Sequence, residues 1–162
     1  EGFCLGLQTM HDKTLHAIRS GFTLSQFEQA VSDLHKRNIP VITHLILGLP
    51  GETKEDMLSS VRYVGSLPVT GIKLQLLHIL KGTDLGTAYM ADPFPLFTLE
   101  EYCDLIADCI ALLPPEIVIH RLTGDGPRNL LLAPLWSTDK KRVLNTIQKC
   151  LRERDLWQGK NI

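Results

Sequence analysis

His44 is the one ionisable residue in an otherwise aliphatic run, Val41-Ile-Thr-His-Leu-Ile-Leu47. A neutral imidazole near the end of such a run can donate a hydrogen bond to a ligand hydroxyl, and it can equally be a hydrogen-bonded core histidine. Gln8 closes a second apolar run, Gly2-Phe-Cys-Leu-Gly-Leu-Gln-Thr9, together with Thr9. Its amide must find partners whether or not a ligand provides them. A third group follows His78: Arg121, Asp125 and Arg128 lie around the glycines of Arg121-Leu-Thr-Gly-Asp-Gly-Pro-Arg128. Cations beside a glycine turn suit an anionic ligand, and the same three residues can ion-pair merely to order their loop. His78 has the same two readings, a ligand contact beside Leu77 or a structural imidazole.

The four cysteines, Cys4, Cys103, Cys109 and Cys150, form no CxxC pair. Cys103 and Cys109 fall about 120° apart around a helix, which excludes the simple metal-site spacings, and a disulfide scaffold is not expected. Reduced thiols in a cytoplasmic protein are the expectation. Hydrophobic residues make up 44% of 162 and charged residues 22%, with a net charge of −1. That composition is ordinary for a globular protein and carries no bulk footprint for nucleic acid or an anionic membrane. No apolar run approaches the roughly 18 residues that span a bilayer. No signal peptide is visible, and a chain beginning at Glu1 without an initiator methionine reads as the middle of a longer protein.

The elements that position these residues are parallel strands and capped helices. Val41–Leu47 is hydrophobic on both faces, as a helix-covered parallel sheet requires. Gly48-Leu-Pro-Gly51 then turns the chain, and Thr53 with Asp56 forms a capping box at a helix start. Strand, tight turn and helix N-terminus together are where α/β proteins place ligands. Gly48 also has the plain reading of a turn glycine. Strands are expected to begin near residues 3, 40, 72 and 116, the third running over Ile72–Ile79 and the fourth over Glu116–Leu122. Thr23 with Gln26 and Thr98 with Glu101 open two more helices. The stretch from Leu130 to Trp136 reads as irregular, and the tail after Trp157 as frayed. The alternation implies an α/β fold in a single domain, doubly wound or barrel.

Taken together, Gly6-Leu-Gln8-Thr9, Leu45-Ile-Leu-Gly-Leu-Pro-Gly-Glu-Thr53, Leu77-His78 and Lys81-Gly-Thr83 resemble the second half of a radical S-adenosylmethionine (SAM) core. The resemblance is to the YhcC/YtqA-like group and extends to Arg121–Arg128 and Ala133-Pro-Leu-Trp136. It implies the C-terminal half of a partial (βα)6 TIM-like barrel, with strands four to six in about residues 1–95 and a family-specific extension in about 96–162. Relatives hold a 4Fe–4S cluster on three cysteines and reduce SAM to a 5′-deoxyadenosyl radical. By this resemblance Gln8 contacts the SAM ribose, His44 stands where an aspartate often serves that ribose, and Ile46 and Leu77 pack near the adenine. Thr9 and Gly48 belong to the same cofactor-binding strand ends. Ser20 stands where relatives often have an arginine that reaches the SAM carboxylate.

The cluster cysteines of the family are not among those of this sequence, so the chain is expected to be inactive alone. The implied function is the SAM- and substrate-binding half of a radical SAM enzyme. His78, Arg121, Asp125 and Arg128 are its substrate candidates, for a small molecule or RNA. The alternative is a non-catalytic half-barrel that binds a nucleotide or phosphate, or that only assembles with a partner. Self-association through the strand edge near Phe3–Leu7 or through the concave face is expected in either case.

Overall fold

The computed structural model describes residues 2–162. Six strands run β1 (Phe3–Gln8), β2 (Val41–Leu47), β3 (Gly71–Leu76), β4 (Ile79–Leu80), β5 (Val118–Arg121) and β6 (Leu131–Ala133). The helices are α1 (Asp12–Ala17), α2 (Leu24–Lys36), α3 (Lys54–Gly65), α4 (Asp84–Ala91), α5 (Leu99–Leu112) and α6 (Lys140–Glu153), with a 3₁₀ turn at Leu135–Thr138. One parallel sheet has the order β1-β2-β3-β5, and β4 pairs antiparallel with β6 in a separate ribbon. None of the helices is long and apolar enough to cross a membrane.

Alternation decides which face is covered. Val41, Thr43, Leu45 and Leu47 of β2 and Ile72, Leu74 and Leu76 of β3 are fully buried. The aliphatic ones share one hydrophobic cluster with Phe27 and Val31 of α2, Met57 and Val61 of α3, Ile106 of α5, and Val143 and Ile147 of α6. Residues of opposite parity, such as His44 and Lys73, are half-buried on the other, concave face. Sheets build such two-sidedness from a side-chain period of two. The helices start where the sequence caps them. Thr23–Gln26, Thr53–Asp56 and Thr98–Glu101 each form the reciprocal capping box.

Three expectations are corrected. The third strand leaves the sheet after Leu76: Leu77 makes a last bond to β2, donating its amide to Leu47 O, and Ile79 then pairs with Ala133 instead. The irregular stretch thus contains β6, and β5 is followed by a loop and this strand rather than directly by a capped helix. The tail is docked, not frayed: Gln158 Nε2 donates to Pro114 O at 2.8 Å and Ile117 O at 2.7 Å, and Asn161 N–H donates to Ala111 O. These contacts add donors to carbonyls at and just past the end of α5, where the helix itself supplies none.

Candidate functional site

The open face of the sheet gathers polar groups from four strands, Gln8 and Arg121 at their carboxyl ends and His44 and Lys73 nearer the middle. Strand pairing places Gly6 beside His44, His44 beside Lys73, and Lys73 beside Arg121. Gln8 joins them by an irregular route. The register slips between Gly6 and Gln8, and Gln8 takes φ = 70°, a left-handed value that few side chains adopt. Its amide then folds back over Gly6, where a Cβ would stand 2.6 Å from Nε2. Gly6 is therefore a glycine because Gln8 lies on it, and the amide ends up beside His44. Gln8 Oε1 and His44 Nε2 are both buried and have no hydrogen-bond partner among the described residues. Natural interiors rarely leave such atoms unpaired.

Burial holds the His44 imidazole below its ordinary pKa. The Gln75 amide acts in the opposite direction, and the positive charges of Arg121 and Lys73 add to the lowering. The ring is thus neutral at physiological pH and has one nitrogen free for a ligand hydroxyl. Gln75 Oε1 accepts from Arg121 at 3.3 Å, and the other arm of that guanidinium meets Asp125 at 3.0 Å. Lys140 reaches the same carboxylate at 2.6 Å. The hydrogen bond and charge from Lys140, and the charge of Arg121, hold the Asp125 carboxyl below the usual range.

His78 is locked into the glycine loop beside this cluster. Gly126 donates its amide to His78 Nδ1 at 3.2 Å, and a Cβ at Gly124 would stand 2.0 Å from Nε2. An accepting Nδ1 places the proton of a neutral ring on Nε2, which is buried and unpartnered. Burial lowers the His78 pKa, opposed by Asp125 and reinforced by Lys140.

Ile46 and Leu77 pack in one small apolar cluster with Leu49 and Ile79 at the strand ends. Gly48 and Leu77 also line a cavity of about 610 Å³ together with Phe94, Leu96 and Phe97. Gly48 has φ = 93°, and a Cβ there would meet the Phe97 ring at 3.2 Å, so turn geometry and packing account for it. Thr9 is buried and turned towards α3, where its hydroxyl donates to Glu52 and lies near Ser60. Arg128 lies apart from Asp125 and donates to Thr138 O. Among the described residues, no three His, Cys, Asp or Glu side chains are grouped to hold a metal.

Sequence reasoning passed over Lys73 and Gln75. Their signal was present, since they are the two polar residues at alternating positions of the third strand. Only the pairing register aligns them with His44 and Arg121.

Residues 2–64 match the radical SAM superfamily, and residues 69–153 match the radical SAM C-terminal domain. The chain belongs to the radical SAM superfamily. YtqA of Bacillus subtilis is 39% identical over 156 residues, covering 96% of this radical SAM chain and 48% of YtqA. YhcC of Escherichia coli K12 is 37% identical over 149 residues, covering 92% and 48%. A tRNA uridine(34) acetyltransferase of Dehalococcoides mccartyi is 27% identical, covering 93% of this chain and 35% of its own length. Among solved structures, the Elp3 of Methanocaldococcus infernus with an N-terminal deletion superposes with a TM-score of 0.83 at 17% identity, over 97% of this chain and 37% of that one. That likeness shows the fold, an open α/β sheet of the partial TIM-barrel kind. The chain spans about half the length of YtqA and YhcC. Radical SAM membership implies SAM and a 4Fe–4S cluster for the family's members.

Proposed function

We propose that this chain forms the SAM- and substrate-facing half of a radical SAM enzyme, with the adenosine held at Gln8 and His44. One observation carries the reading: two buried polar atoms on one face of the sheet, Gln8 Oε1 and His44 Nε2, lack partners among the described residues. An acceptor and a ring nitrogen of a neutral imidazole, side by side, suit the adjacent hydroxyls of a ribose. Ile46 and Leu77 supply apolar surface at the strand ends for a purine. Bound there, SAM would supply one-electron cleavage and hydrogen-atom abstraction, chemistry that belongs to the cofactor rather than to these side chains. The residues of this chain orient the nucleoside, and their burial keeps water from it. Thr9 supports the arrangement from behind, tying the end of β1 to Glu52 in the loop after β2.

The test is SAM affinity in the whole protein, by equilibrium dialysis with labelled SAM. Gln8→Ala and His44→Ala are each expected to weaken binding about tenfold, the worth of roughly one good hydrogen bond. Unchanged affinity in both variants would remove the site and leave the fold.

A further inference from the structure

The four strands of the parallel sheet contain His44, Lys73, His120 and Arg121 and not one aspartate or glutamate, in a protein whose net charge is −1. The two permanent cations of the sheet, Lys73 and Arg121, thus meet no carboxylate from the strands themselves. Lys73 and Arg121 are paired residues on adjacent strands, about 4.8 Å apart along the hydrogen-bonding direction. His120 lies across Gly71, one step further down the same face, where a Cβ would stand 2.6 Å from its Nε2.

What these cations already hold leaves much of their capacity open. Lys73 is half-buried and has no carboxylate partner among the described residues. Its one hydrogen-bond partner among the described residues is Cys4 Sγ at 3.5 Å, and sulfur is a weak acceptor. Arg121 uses one arm on Gln75 and one on Asp125. Asp125 is shared with Lys140, so one carboxylate faces two cations and Lys73 remains uncompensated. An incoming oxyanion would meet this ammonium in charge-assisted hydrogen bonds.

We propose that the concave face binds an oxyanion of the substrate, a phosphate or a carboxylate, between Lys73 and Arg121. This deepens the radical SAM reading by naming the class of molecule presented to the cofactor, and it rests on that reading only for the word substrate. The anion lies one and two strands from His44, so the adenosine and the anionic end occupy neighbouring parts of one face.

Calorimetric titration of the whole protein with pyrophosphate, and separately with malonate, tests the site. At least one probe is expected to bind; a preference for pyrophosphate assigns a phosphate and a preference for malonate a carboxylate. Lys73→Met is expected to lower the preferred probe's affinity about tenfold or more, with Lys73→Arg retaining most of it and SAM affinity unchanged. Thermal melting of each variant checks that it folds, and Lys73→Gln replaces Lys73→Met if the latter does not. No binding of either probe, or equal binding by folded wild type and Lys73→Met, overturns the proposal. A matching loss of SAM affinity in Lys73→Met also overturns it, because the anion held there is then the cofactor's own carboxylate. If no SAM binds while the anion response to Lys73 persists, the cofactor reading fails and the anion site stands.

Discussion

His44 and His78 are held neutral in different settings. His44 sits on the open floor between Gln75, Lys73 and Arg121, while His78 is wedged against Gly124 and Gly126 with Asp125 and Lys140 nearby. In both, burial is the main reason that the folded ring protonates at lower pH than the unfolded one, whose pKa is near 6.5. Between 6.5 and the folded values the unfolded chain binds more protons, so stability falls as the pH drops through that window. The melting temperature is expected to decline from pH 7 towards pH 5, and His44→Gln with His78→Gln should flatten the decline. A double variant with the wild-type slope would sink this assignment. The carboxylates Asp56, Glu101 and Asp125 titrate below their usual range, held down chiefly by bonds from Thr53, Thr98 and Lys140. Their contribution is present above about pH 4 and is lost only as the pH falls through their depressed values, which separates it from the histidine window.

Elements are joined here by short-range caps and by a few long-range clasps, and the two kinds differ in how visible they are in sequence. Gln158 is a clasp: one amide group serves two carbonyls at the end of α5. Gln158→Ala is expected to destabilise the fold by about 1–3 kcal/mol, since both carbonyls lose a donor. Chemical denaturation measures it, and an unshifted midpoint would mean the tail contributes nothing. Caps were readable because Thr53 and Asp56 meet within one turn. The docked tail was not, because its partners at Pro114 and Ile117 lie more than 40 residues away. The early end of β3 escaped notice for the same reason: Leu77-His-Ile79 is as apolar as a strand, and only its partner Ala133 diverts it. At the site, His44 and Gln8 were visible as polar residues in apolar runs. The slip that lays Gln8 over Gly6 was not, since a left-handed glutamine leaves no compositional trace. Lys73 and Gln75 were visible but had no neighbours until the register supplied them.

The molecule as a whole is one covered sheet with one open face, braced on its covered side. Lys54 of α3 meets Asp108 of α5, and Arg154 meets Asp104 and Asp108 beside α6. Burial alone would raise the Asp108 pKa, but these two cations outweigh it and lower it. The central strands β2 and β3 have neighbours on both sides, whereas β4 and β6 form an isolated pair. Two-stranded ribbons are marginal without help, so native-state hydrogen exchange should protect Leu45 and Leu74 most and release Ile79 and Leu131 earlier. Equal protection across both sheets would contradict this picture. The distribution of thiols follows the same two-faced plan. Burial pushes Cys103 and Cys109 up to about 12, while Cys4 is exposed at the edge of the open face. An alkylating dye added sparingly will therefore mark Cys4 ahead of these two and of the half-buried Cys150 in α6, whose thiol burial also pushes up, giving a fluorescent reporter 3.5 Å from the ammonium of Lys73 without any engineered cysteine.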